Sequence, residues 1–184
     1  MQEQPYVAPK RSKSMKKDLA HLVTLPTTAD AEDWFVDAKE RLLDVNNWKK
    51  YGHAMNVDFH LKDTHAKDIN RHNGRKGDLI KITGSNTDYW LVIDAIIYDD
   101  YPDIDIETFS LHVRTLADPL QSHTDDTGTR VALVIDRKAK HIIANYHGRV
   151  AADGNDDTVF ASGEWLGLTF DQWHSLIKGF VSDI

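Results

Sequence analysis

The sequence contains no cysteine among its 184 residues. Disulfides, thiolate nucleophiles, iron–sulfur clusters and cysteine-type zinc sites are thereby excluded, and any metal would have to rest on His and carboxylate ligands. Long apolar runs are missing too. No stretch approaches the roughly 18 apolar residues of a membrane-spanning helix, and the first twenty residues lack the apolar core of about 7–15 residues that a signal peptide needs. A soluble, cytoplasmic protein is expected. Positive charge is also short, with 22 Lys and Arg against 29 Asp and Glu, a net −7. Phosphate neutralisation needs a surplus of Lys and Arg on some face, so the folded body is not expected to bind nucleic acid. No G-x-S-x-G elbow, G-x-G-x-x-G, Walker or H-E-x-x-H sequence occurs. Hydrolase and nucleotide-binding readings weaken accordingly, and no cofactor is expected.

What is present suits one domain, since a chain of this length buries roughly 70% of its unfolded surface around a single core. Residues 1–20 carry Lys10, Arg11, Lys13, Lys16 and Lys17 against Glu3 and Asp18, a basic arm of +3 on a body of −10. Few apolar residues lie there, and the segment is read as a flexible basic tail. Residues 21–184 hold no repeat, low-complexity tract or linker and are read as a single α+β domain. Within them, Thr27 and Asp30 have capping-box spacing, and Ala31, Trp34, Phe35, Ala38, Leu42 and Val45 form one apolar stripe, which predicts a helix. Trp48 and Tyr51 suggest a further helical turn. Thr169 and Gln172 cap a closing helix of about 15 residues, in which Phe170, Trp173, Leu176, Ile177, Phe180 and Ile184 recur at helical spacing.

Between the helices the period drops to two. Residues 55–61, 78–83, 89–98, 109–113, 129–136 and 141–147 read as strands, with a short one before the first helix at 21–25. Strands in a run with helices at the ends predict a curved antiparallel sheet of five to seven strands wrapped around the closing helix. This order resembles the helix-grip fold of the START-like superfamily, the SRPBCC or Bet v 1-like proteins. The matching stretches are LPTTADAEDWFVDAKERLLDVNNWKKY (25–51) and LTFDQWHSLIKGFVSDI (168–184). The resemblance implies a cavity between sheet and closing helix that takes a small hydrophobic molecule such as a lipid, a polyketide or an aromatic metabolite. An enzyme of the cyclase or hydratase type is the second reading, and an interaction protein with a filled core the third.

Asp94 is the most informative single residue, because a carboxylate amid YWLVIDAII must be paired, hydrogen-bonded or protonated. Simple alternation puts it on one face with Trp90, Val92 and Ile96. In a helix-grip protein that face would line the cavity together with Phe109 and Trp173; otherwise Asp94 pairs with Arg114 or Arg130. Ser110, His112 and Arg114 share the face opposite Phe109, Leu111 and Val113. The enzyme reading groups Asp94, His112 and His147 around one pocket, with His112 as base. His53, His60, His65 and His72 lie near Asp58, Asp63 and Asp68 without a spacing that fixes three ligands. Asp99, Asp100, Asp103, Asp105 and Glu107 make an acidic hairpin tip. Asp153, Asn155, Asp157 and Glu164 occupy positions 1, 3, 5 and 12 of a calcium-type loop, but Thr158 stands where such a loop needs Gly.

Overall fold

The computed structural model describes residues 15–53, 55–84, 87–120, 126–150 and 164–183. Helix α1 (Thr28–Leu43) starts where Thr27 and Asp30 close a reciprocal capping box. Its stripe of Ala31, Phe35, Ala38 and Leu42 is buried. A single 3-10 turn leads into α2 (Trp48–Gly52), which buries Trp48. The closing helix, α3 (Phe170–Val181), has its own capping box between Thr169 and Gln172 and ends after 12 residues. No helix among the described residues is long and apolar enough to cross a membrane.

The sheet has seven strands: β1 (Met15–Thr24), β2 (Asp58–Lys62), β3 (Leu79–Thr83), β4 (Asp88–Tyr101), β5 (Ile106–Leu116), β6 (Asp126–Lys138) and β7 (His141–Val150). Their order is β1-β7-β6-β5-β4-β3-β2, and every neighbouring pair is antiparallel. A two-stranded hairpin, β8 (Glu164–Trp165) with β9 (Leu168–Thr169), leads into α3. β1 lies beside β7 at one edge and β2 forms the other, so the sheet stays open, and α3 packs across its inner face. This is the helix-grip arrangement.

The strand expected at 21–25 begins at Met15, and residues 15–20, read from sequence as the end of the tail, pair with β7. Lys16, Lys17 and Asp18 disguise the strand because an edge strand keeps one face in water and tolerates charge there. Residues 1–14 lie outside the described residues.

The inner face of the sheet carries Phe59, Leu61, Ile80, Ile82, Leu91, Ile93, Phe109, Leu111, Val113, Val131, Leu133, Ile135, Ile142, Ala144 and Tyr146, all in the main core. Helix α3 seals that face with Trp173, Leu176, Ile177 and Phe180. Phe180 packs edge-on against Trp48 at 5.9 Å, and Trp48 against Phe59 at 5.3 Å. Such edge-to-face pairs place the positive rim of one ring on the negative face of the other.

One buried cation ties two hairpins together. Arg137, at 4% exposure, donates to Asp105 at 2.8 Å, Glu107 at 2.6 Å and the Ala139 carbonyl at 3.1 Å. The Ala139 amide donates to the Asp105 carbonyl at 3.0 Å. Two residues of the acidic tip are therefore counter-ions of an arginine on β6, and they support a β6–β7 turn that lacks Asn-Gly and places Ala139 at φ 50°.

Two consequences are testable. A Cβ at Gly179 would lie 1.9 Å from the Tyr51 carbonyl oxygen, which is backbone and cannot rotate away. Gly179→Ala should therefore destabilise the protein by about 3 kcal/mol or more, read by urea unfolding. His21, on the inner face of β1, meets the His174 ring of α3 edge-on at 5.7 Å. Burial first, then the neighbouring His174 and Lys178, hold its pKa below the ordinary 6.5. The unfolded chain thus takes up a proton before the folded one, so this contribution is full above about pH 6.5 and lost as pH falls through the lowered folded pKa. Urea midpoints should drop less between pH 7 and 5 in His21→Gln than in the parent chain.

Candidate functional site

Two surfaces of one sheet compete for the role of site, and β4 decides which residues belong to each. From Trp90 to Ile93 the strand alternates regularly, with Leu91 and Ile93 inside and Trp90 and Val92 outside. Between Ile93 and Ala95 the register against β5 shifts, leaving Asp94 as the additional residue of a bulge. Beyond it Ala95 pairs with His112 on the outer face and Ile96 with Leu111 on the inner one. Asp94 and Ile96 are thus on opposite faces, which corrects the simple alternation.

Trp90, Val92 and Asp94 consequently do not face α3, contrary to the expected cavity lining. Trp90 and Val92 form a small outer cluster with Leu79, covered by Ala66 and Leu116. That covering explains why β4 is apolar on both faces. Asp94 is paired as the alternative reading had it: its carboxylate accepts from Arg114 Nε at 2.9 Å and Arg130 Nη1 at 3.2 Å.

The outer face carries a groove of about 430 Å³ lined by Asp94, Ala95, Ile97, His112, Arg130, Ala132, His147 and Arg149 among others. The three residues of the enzyme reading, Asp94, His112 and His147, do meet at one place, but on the side away from the core. Each is held by a neighbour. Ser110 Oγ lies 2.9 Å from His112 Nε2, and His147 Nδ1 lies 2.8 Å from an Asp18 oxygen that also accepts from Arg149 at 2.8 Å. Those hydrogen bonds, from His147 first and then Arg149, hold the Asp18 carboxyl below its ordinary pKa.

The inner face keeps Phe109 and Trp173. Trp173, at 1% exposure, donates from Nε1 to the Trp165 carbonyl at 3.0 Å and stacks obliquely on Tyr146, with ring centroids 5.0 Å apart. Tyr146 was not singled out from sequence, where it reads as one more apolar position in HIIANYH. It is fully buried, and its hydroxyl has no hydrogen-bond partner among the described residues. Burial pushes its pKa up. The phenol lies over Gly148, where a Cβ would come within 3.0 Å of the hydroxyl oxygen.

The other sequence candidates stay apart. Asp58 and His60 are exposed on the outer side of β2, with Asp58 paired to Lys49 at 2.8 Å. His53, His65 and His72 are exposed in loops. Among the described residues no three His or carboxylate side chains gather as metal ligands. Asp153, Asn155 and Asp157 lie outside the described residues, as does the Glu164 side chain.

No protein-family model matches the sequence, and no curated protein does. Among solved structures, a hypothetical protein from Helicobacter pylori is similar in shape, with a TM-score of 0.53 at 9% identity over 98% of this chain and 97% of that one. Ara h 8.0201 is matched with a TM-score of 0.41 at 10% identity over 90% of this chain and 95% of that one. Norcoclaurine synthase from Thalictrum flavum is also matched, with a TM-score of 0.45 at 10% identity over 93% of this chain and 95% of that one.

The ion pairs around Asp94 are partly solvated, with side-chain exposures of 33% for Asp94, 29% for Arg114 and 57% for Arg130. Water and salt screen such pairs. Asp94→Asn should cost about 1 kcal/mol or less in urea unfolding at neutral pH, and the cost should shrink at high salt.

Proposed function

We propose that the protein binds a small, mainly apolar ligand between the inner face of the sheet and α3, with the Tyr146 hydroxyl as its polar contact. The observation that carries this reading is the buried Tyr146 phenol, which has no hydrogen-bond partner among the described residues. Leaving such a group unsatisfied costs about 1–3 kcal/mol, and a ligand oxygen or nitrogen beside it would recover much of that. Trp173 and Phe109 supply apolar surface on the same face. Pockets for small molecules commonly combine such walls with one or two placed polar groups. The resemblance to helix-grip proteins implies a ligand site between sheet and closing helix, and α3 with the β8–β9 hairpin is the element that would shift to admit a ligand.

The cyclase or hydratase reading has less support, because Asp94 and His112 point away from this interior. A filled-core interaction protein remains the outcome if no ligand is found.

The test uses 1-naphthol, an uncharged aromatic with one hydroxyl, followed by fluorescence, together with native mass spectrometry of protein purified from its own host. Saturable binding is expected, weakened about fivefold by Tyr146→Phe, the loss of one hydrogen bond worth about 1 kcal/mol. The free Tyr146→Phe protein should be as stable as the parent or more so, since the change removes an unpaired buried group. Absence of both 1-naphthol binding and a carried adduct would overturn the reading. So would a loss of more than about 1 kcal/mol in the free variant, which would show that the hydroxyl already has a partner.

A further inference from the structure

The strand register places four basic residues side by side on the outer face. Lys16 on β1 pairs with Arg149 on β7, Arg149 with Arg130 on β6, and Arg130 with Arg114 on β5. Neighbouring strands are about 4.8 Å apart, and like charges directly opposite one another oppose folding. Two carboxylates offset part of that repulsion, Asp94 between Arg114 and Arg130 and Asp18 beside Arg149. Among the described side chains the row sets four cations against two carboxylates, on a chain whose net charge is −7.

The adjacent row makes the shape. Asp18, His147, Ala132, His112 and Ala95 follow one another across five strands. Ala132 is the smallest side chain between two imidazoles, so the surface dips there and opens the groove of about 430 Å³ beside the guanidinium groups of Arg130 and Arg149. Arg149 makes its bonds to Asp18 and to the Gly148 carbonyl through Nη1 alone, so its other N–H groups are uncommitted among the described residues. Ile97, 43% exposed, forms an apolar wall at the groove.

We infer that this groove is a binding site for a small phosphate monoester. A doubly charged head would relieve the repulsion along the arginine row, and guanidinium forks match phosphate oxygens with two parallel hydrogen bonds. The His112 and His147 rings flank the same space, and a dianion gains about twice the Coulomb attraction from the arginine row that the single charge of a carboxylate gains. The organic part of the ester would lie over Ala132, Ala95 and Ile97. This site is separate from the interior that α3 covers and does not depend on the function proposed for it.

Calorimetry at neutral pH with phenyl phosphate, benzoate and inorganic phosphate tests the inference on the full chain. Phenyl phosphate should bind saturably and about tenfold or more tighter than either benzoate or inorganic phosphate, and added salt should weaken it. Arg149→Gln should lower its affinity about tenfold. Ala132→Leu fills the dip without changing charge and should abolish binding while the melting temperature stays close to the parent's. It remains informative if Arg149→Gln fails to fold. Binding of 1-naphthol should survive Ala132→Leu, which separates this site from the interior one. No saturable binding of phenyl phosphate, unchanged binding in Ala132→Leu, or benzoate or inorganic phosphate binding as tightly, would each overturn the inference.

Discussion

The nearness of α3 to α2 and α1 is the constraint on which the rest of the interior depends, and Gly179 sets it. With no side chain at that position the helix comes against the Tyr51 carbonyl. At that distance Arg41 reaches the Gly179 and Ser182 carbonyls at 3.2 and 2.5 Å, and Trp34 donates to the Val181 carbonyl at 2.7 Å. These bonds satisfy carbonyls that a helix C-terminus leaves without partners, and they bring a cation to its negative end. On the opposite side His174 donates to the Ala20 carbonyl at 3.1 Å, joining the helix to the edge strand. Phe180 then meets Trp48, and Trp173 meets Tyr146. A helix held farther out would lose these contacts together, and the buried phenol would be open to water.

The sheet meets a second requirement, that each strand send one set of side chains inward and another outward. The bulge at Asp94 lets β4 change its parity halfway along, so Ile93 and Ile96 both serve the core although they are three residues apart. The residue released by the bulge carries the charge, and two arginines from β5 and β6 bind it there. The same event that keeps the core apolar thus supplies the acidic end of a basic row. Inner and outer faces offer different chemistry as a result: a phenol among aromatics on one side, guanidinium and imidazole groups around a shallow dip on the other.

Much of the fold was legible in the chain because its signals are local. The Thr27–Asp30 and Thr169–Gln172 boxes and the apolar stripes behind them need only neighbours within a turn or two, and both helices begin where those signals stand. The alternation of β5 likewise grouped Ser110, His112 and Arg114 on one face opposite Phe109, Leu111 and Val113, and the structure keeps that grouping on the outer side although Ser110 is buried there. Less was legible where a partner far along the chain decides. Lys16 and Lys17 look like tail residues until β7 pairs with them, and Arg137 looks like part of a charged turn until Asp105 and Glu107 arrive from another hairpin. Tyr146 shows its importance only through what is missing around its hydroxyl.

The sequence by itself determined the element order, both helix starts, the run of antiparallel strands and the exclusion of cysteine chemistry. Each follows from residue type, or from a period read over a few neighbours. Only the tertiary structure decided that Asp94 faces outward to two arginines, that His112 and His147 share a groove, and that a buried phenol lies against Trp173 with no partner among the described residues. A strand has two faces that its own residues cannot rank once both are apolar, and a bulge moves a side chain from one to the other at the cost of a single residue. The β4–β5 register and the helix that covers one side settle the matter: the first is set across a hairpin, the second by contacts more than a hundred residues apart along the chain.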